Sequence, residues 1–318
     1  MLTPLPNTSF SGLLQVAWDN TSVSALKECP RKYYYTIVLG FQPRTLSIHL
    51  TFGLIYHRAL ELYDHARAQG QDHESGVRVA TRHCLIATWN PQTRRPWDSQ
   101  DSYKNRFTLT RSVVWYLEQF QDDPLETVIL ANGKPAVELS FRVETNYSTP
   151  EGQPYLYCGH LDRLAWLGGG PGEGDPWIVD RKTTKSTLGE WYFESFTPNA
   201  QFSGYVFGGK IALALPIKGL IVDAAQIAVG FSAFQRSPVT RSPGQIQEWY
   251  TDLGQWLRVA EGYAEANYWP MNESSCGNYG GCSFREICSH GPGNTRDTWL
   301  SKTMSRRTWD PLVARGDV

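Results

Sequence analysis

The 318-residue chain lacks an excess of charge of either sign: 30 Lys and Arg against 31 Asp and Glu leave a formal net charge of -1. There is therefore no global polycation to announce nucleic-acid binding, and any such contact has to come from a local patch. An apolar run of bilayer length is also missing, and the first ten residues, MLTPLPNTSF, lack the charged-then-apolar plan of a secretory signal. The expectation is a cytoplasmic chain with no membrane partner. Without an export signal, the six cysteines do not imply disulfides. No internal repeat is present, and the length suits one large domain or two modest ones. One domain over 1–318, with attachments, is expected.

What the chain has in quantity is aromatic surface, 13% with 12 Trp. That supplies burial and also stacking platforms that tolerate any base. Residues 22–38, SVSALKECPRKYYYTIV, predict a helix capped by Ser22 or Ser24 that Pro30 kinks or restarts. In SIHLTFGLIYHRALELYDHARAQG, Ile55, Ala59, Leu62 and Ala66 keep helical spacing, with His57 and Glu61 one turn apart beside them. Residues 75–122 predict further helices broken at WNPQTRRPWD, the later one carrying Lys104, Arg106 and Arg111. From 136 the pattern alternates: AVELSFRVE (136–144), YLYCGHLDRLAWL (155–167) and WIVDRK (177–182) predict an antiparallel meander with glycine-rich and proline-rich turns between. TPNAQFSGYVFGGKIALAL predicts a helix capped by Thr197 with Pro198 at its first position and Gln201 and Tyr205 one turn apart. A strand over 225–235, a helix from about 245 to 266 and a cysteine-bearing segment follow.

Residues two apart in a strand face the same way, so Asp180 and Lys182 project together. If the hairpin folds symmetrically about its turn, Asp162 and Asp180 are equidistant from position 171 and stand opposite each other. Like charges so placed repel. A sequence keeps such a pair on a buried face only with a proton or a cation between them, and two carboxylates with one open side suit Mg²⁺ or Mn²⁺. Lys182 beside them can orient a nucleophilic water or neutralise charge on a phosphate. The plain alternatives are a surface salt bridge for Asp180 and Lys182, a structural histidine for His57, and a helix surface meeting a sheet for Gln201 and Tyr205.

Taken together, GLIYH, GHLD, VDRK and QFSGY, in this order and spacing, resemble the PD-(D/E)XK nuclease superfamily, and within it the RecB-like and Cas4-like branch. The resemblance implies an α/β, restriction-endonuclease-like fold: a mixed β-sheet core flanked by helices, with a helical insertion and a C-terminal cysteine-bound cluster segment. The corresponding segments are N-terminal helices over 20–70, the insertion over 71–130, the catalytic sheet core over 131–240, helix and cysteines over 241–290 and a tail over 291–318. It implies that His57, Asp162, Asp180 and the backbone carbonyl of Arg181 bind Mg²⁺ or Mn²⁺, that Lys182 is the catalytic lysine, and that Gln201 and Tyr205 position lysine and DNA. Glu138 matches an acidic position on the first strand of the family. The name's proline is missing before the first aspartate, which reads GHLD.

Cys276, Cys282 and Cys288 have five residues between neighbours, a spacing that fits zinc ribbons and knuckles poorly. With the remote Cys29 they resemble the iron–sulfur staple of Cas4-like and AddB-like nucleases, which implies a [4Fe–4S] cluster, with structural Zn²⁺ as the alternative. Cys84 and Cys158 read as small core residues. Tyr33, Tyr34 and Tyr35 read as packing around the staple.

By the same resemblance the insertion borders a DNA channel, which makes Lys104, Arg106 and Arg111 phosphate contacts and Trp89, Trp97, Tyr103 and Phe107 stacking surfaces; a solvated helix face and core packing are the plain alternatives. The implied activity is that of a metal-dependent DNA exonuclease, a phosphodiester hydrolase acting on DNA that is single-stranded or has a free end. A structure-specific endonuclease of the same fold, or an idle DNA-binding or adaptor subunit of a recombination or CRISPR-adaptation complex, are the alternatives. No G-x-x-x-x-G-K-[ST] occurs, so unwinding falls to a partner helicase; a recombinase or single-strand-binding protein also fits. The implied setting is recombination, replication, repair or defence in a phage or prokaryote.

Overall fold

The computed structural model describes residues 3–5, 7–45, 47–170 and 173–313; the end of the expected tail, from 314, lies outside the described residues. The chain divides into two compact units, one of residues 1–45, 141–159 and 243–317, the other of residues 46–140 and 160–242.

The second unit is built from α1 (Ile48–Ala68), α2 (His73–Ala87), α3 (Arg106–Gln119), β1 (Leu125–Thr127), β2 (Val137–Ser148), β3 (Pro154–Leu167), β4 (Asp175–Thr184), α4 (Glu190–Glu194), α5 (Ala200–Leu213), β5 (Gly219–Ile227) and β6 (Ser232–Thr240). Strands β2 and β3 belong to it up to Ser140 and from His160 on. The order is β6-β5-β4-β3, with β1 and β2 also paired to β3. β4 and β5 are parallel, while β3–β4, β5–β6 and β1–β3 are antiparallel, so the sheet is mixed, as expected. A parallel pair needs a long crossover, which α4 and α5 supply. Ser47 caps α1 by accepting the N–H of Leu50, and α1 turns Phe52, Tyr56, Ala59, Leu60 and Tyr63 inward at helical spacing. They pack with Leu109 and Val113 of α3 and Ala225 and Ile227 of β5. Each large side chain so buried contributes about 1.5–3 kcal/mol.

Two expectations are corrected here. The strand predicted over 225–235 is two strands, because Ala228 N–H bonds Phe231 O at 3.0 Å and closes a turn at Gly230. The helix expected to start at Pro198 starts at Ala200, because Asn199 reaches the N–H of Phe202 and becomes the cap.

In the first unit, helix Asn20–Glu28 is capped by Asp19 rather than Ser22 or Ser24; Ser22 returns the bond as the third residue of a capping box. The helix stops at Cys29 and restarts with Pro30 at its first position, as predicted. Tyr33 stacks on Trp18 and lies against Trp269, and Tyr35 packs on Phe284. Asn272 and Ser275 donate to Glu28 O, both at 2.8 Å, and the N–H of Asn272 points at Cys29 Sγ at 3.4 Å. The end of the first helix is thereby bound to the chain leading into Cys276.

Candidate active site

Strands β3 and β4 pair from Asp175↔Leu167 to Val179↔Arg163, the register expected from symmetry about position 171, which itself lies outside the described residues. The ladder stops there. One step further the N–H of Arg181 donates to Asp162 Oδ2 at 2.9 Å, so a side chain of β3 replaces its backbone and the carboxylate is held between the strands. The same oxygen lies 3.3 Å from His57 Nδ1 on α1. Asp180 Oδ2, which accepts no other bond among the described residues, pairs with Lys182 Nζ at 2.7 Å. Lys182 donates to Gln201 Oε1 at 3.3 Å, and Gln201 Nε2 donates to the Tyr205 hydroxyl at 3.0 Å. The one-turn spacing on α5 thus makes a continuous chain from Asp180 to Tyr205.

Both aspartates are buried, 7% and 3% exposed. Burial pushes both carboxyls up. At Asp162 the His57 imidazole, the Lys182 ammonium and the N–H of Arg181 outweigh burial and hold the carboxyl well below the usual carboxylate range. At Asp180 burial, with the Asp162 charge, prevails over Lys182 and the carboxyl is raised. Two neighbouring carboxyls held apart in this way are a site for acid–base or cation chemistry. Among the described residues no group of three or more His, Cys, Asp or Glu side chains is arranged to hold an ion. The two carboxylates here are hard oxygen donors of the kind that suits Mg²⁺ and Mn²⁺, while the His57 imidazole beside Asp162 is a borderline donor.

Glu138 is half-buried on β2. The bond from Leu164 N–H to Ala136 O and the contact of Ser140 Oγ with His160 Nδ1, each 2.8 Å, bracket it and set it level with Asp162. Its φ of +49° is left-handed, at a cost of about 1–2 kcal/mol for a residue with a Cβ, and such positions cluster at functional sites.

Sequence reasoning missed what lies behind the site. Arg181 points to the opposite sheet face from Asp180 and Lys182 and donates to Asp64 Oδ2 at 2.7 Å, both side chains being buried. Asp64 sits two turns after His57 on α1, and that seven-residue spacing is the one signal that could have found it. Arg163 lies 3.9 Å from Asp64 and 3.2 Å from Asp123, and Arg236 joins Asp123, Asp223 and Tyr116. Tyr192 on α4, also missed, has its phenol pushed up to about 12 by burial and the nearby Asp180 charge.

The three basic residues expected at DNA all have partners within the protein, Arg106 donating to Leu85 O at 3.4 Å. Lys104 is 3% exposed, with its ammonium 4.3 Å from the Phe52 ring centre; burial, aided by Lys185, lowers its pKa to about 8. Arg111 donates to the carbonyls of Ala228, Val229 and Phe231. Arg106 is half-exposed beside the exposed Trp89, and Phe107 is exposed as well. In the first unit Cys29, Cys276, Cys282 and Cys288 are free and half-buried. Burial raises the Cys288 thiol, Arg296 and Arg31 oppose it, and Cys282 and Cys29 are near enough to add to it. Cys84 and Cys158 are buried, with thiols pushed up to about 12, as core residues should be.

Compared with known families, residues 20–289 match the PD-(D/E)XK nuclease superfamily. No curated protein matches. Among solved structures the chain is similar to the one titled "Crystal structure of SSO0001", at 15% identity and a TM-score of 0.25, over 49% of this chain and 60% of that one.

Proposed function

This chain belongs to the PD-(D/E)XK nuclease superfamily, and from that premise we propose that it is a metal-dependent DNA exonuclease of the RecB-like and Cas4-like branch. Membership brings metal-dependent nuclease chemistry on the restriction-endonuclease-like fold. The observation that carries the residue assignment is the contact chain Asp180–Lys182–Gln201–Tyr205 beside the His57–Asp162 pair. Mg²⁺ or Mn²⁺ would be held by His57, Asp162, Asp180 and the carbonyl of Arg181, with Glu138 level with them. When bound, the cation supplies Lewis-acid polarisation of the phosphate and acidifies water. Asp162 stays ionised because His57 and Arg181 N–H hold it so. Lys182, fixed between Asp180 and Gln201, keeps one positive charge at the place where phosphate charge grows and orients the attacking water. Gln201 and Tyr205 stop the lysine swinging away.

Gln201→Leu is therefore expected to lower kcat about 10²-fold with KM little changed, since about 1 Å of misplacement has that effect. Steady-state cleavage of end-labelled DNA checks it, and a matching rise in KM would contradict the positioning role.

We assign the four thiols of the first unit to a [4Fe–4S] cluster, with Zn²⁺ as the alternative. Their all-sulfur chemistry suits either, and the binding of the Cys29 helix end to the Cys276 segment gives such a staple its purpose. Protein purified without oxygen should show iron and a visible absorption band; a colourless zinc protein would remove the cluster. The same preparation should degrade linear DNA with Mg²⁺ or Mn²⁺ and not with EDTA. Cleavage of closed circles would make it an endonuclease, and metal-independent or absent cleavage would end the nuclease assignment.

A further inference from the structure

Lys182 and Gln201 touch at 3.3 Å, so the chain between them leaves the candidate site and returns to it. The middle of this closed segment is α4, Glu190–Glu194, with the sequence EWYFE. A row of rings runs outward along it. Lys182 Nζ lies 5.9 Å from the ring centre of Phe202; Phe202 stacks on Phe196 at 5.2 Å and 11°; Tyr192 meets Phe196 edge-on at 5.4 Å; and Trp191 meets Tyr192 edge-on at 6.4 Å. Trp191 ends the row and is 62% exposed.

Its occupant follows from two observations. The indole that ends this row is exposed, on a segment whose two ends meet at a phosphate-handling lysine, and its open face suits a stacked nucleobase. The exposed carboxylates Glu190 and Glu194 flank Trp191 one turn apart. They repel a backbone that continues past the indole, whereas a terminal base stacks there without bringing another phosphate against them. We propose that Trp191 is the stacking platform for the unpaired terminal base of the DNA strand being cut, so that α4 selects free single-stranded ends. This rests on the nuclease reading and adds to it a residue that recognises a strand terminus.

The test uses the full chain carrying Asp180→Asn, so that binding is read without cleavage, and short single strands with 2-aminopurine at the 5′ end, the 3′ end or an internal position. Fluorescence quenching on binding is expected for one terminal position and not for the internal one. Adding Trp191→Ala should abolish that quenching and weaken binding about tenfold, with Trp191→Phe retaining most of both. Unchanged quenching and Kd in Trp191→Ala, or quenching only at the internal position, would overturn the platform. Because the indole is exposed, melting temperatures should match within the series, and Trp191→Gln, polar and without a ring, decides if the alanine variant does not fold: it should lose the quenching, and retained quenching would overturn the platform. Failure of the nuclease reading shows separately, as wild-type protein that leaves the same strands intact with Mg²⁺.

Discussion

Asp180→Asn should reduce DNA cleavage by about 10³-fold or more while leaving the metal-free protein as stable as the wild type or more so. The two halves have one cause. Asp180 is buried, and burial together with the Asp162 charge raises its carboxyl against the pull of Lys182. A carboxyl whose folded pKa lies above its unfolded value favours the folded state below the unfolded pKa, and that contribution is lost as pH rises through the folded pKa. Above the unfolded pKa the folded state holds a proton that the unfolded chain has released, so stability falls as pH rises, and asparagine removes that dependence while keeping the shape. Lys182 loses its partner, but its side chain is 29% exposed and still reaches water and Gln201. Melting in EDTA at mildly acidic and neutral pH, beside a cleavage assay, separates the effects. The wild type should lose stability relative to Asp180→Asn as pH rises. A variant that is inactive only because it melts many degrees lower would show that Asp180 is structural.

The core of this site was legible because it depends on local rules. Strand period puts Asp180 and Lys182 on one face; turn symmetry sets the β3–β4 register; helix period puts Gln201 and Tyr205 one turn apart. The point at which the ladder stops was not legible, since it depends on the Asp162 side chain taking the N–H of Arg181. Lys104 was misread for a comparable reason. The pattern places it on a helix face, but α3 begins at Arg106, and Asp101 accepts the N–H groups of Tyr103 and Lys104. That turn, not a helix, directs Lys104 inward onto Phe52. In 225–235 strand-forming residues stand on both sides of Val229 and Gly230, so composition carried the expected strand through a turn. The Asp64–Arg181–Arg163–Asp123–Arg236–Asp223 network draws on α1, four strands and the stretch before β1. No period relates such residues, and only packing brings them together.

That network carries the second large effect. Arg181→Met is expected to cost about 3–5 kcal/mol, because it leaves the Asp64 carboxylate buried with only Arg163, 3.9 Å away, to balance it. Adding Asp64→Leu should recover a substantial part of the loss, since an apolar pair of similar volume replaces a buried ion pair at little cost. Thermal and denaturant unfolding of the two single variants and the double variant form the cycle. Additive losses would mean that the pair is not coupled. Stability and activity should then part company. The Asp64–Arg181 bond fixes β4 to the helix that carries His57, and the N–H of the same arginine holds Asp162. The refolded double variant keeps the N–H and loses the tie to α1. It should therefore bind Mn²⁺ more weakly than the wild type under conditions where both are fully folded, because the two donors on β3 and β4 are no longer held in place against the histidine.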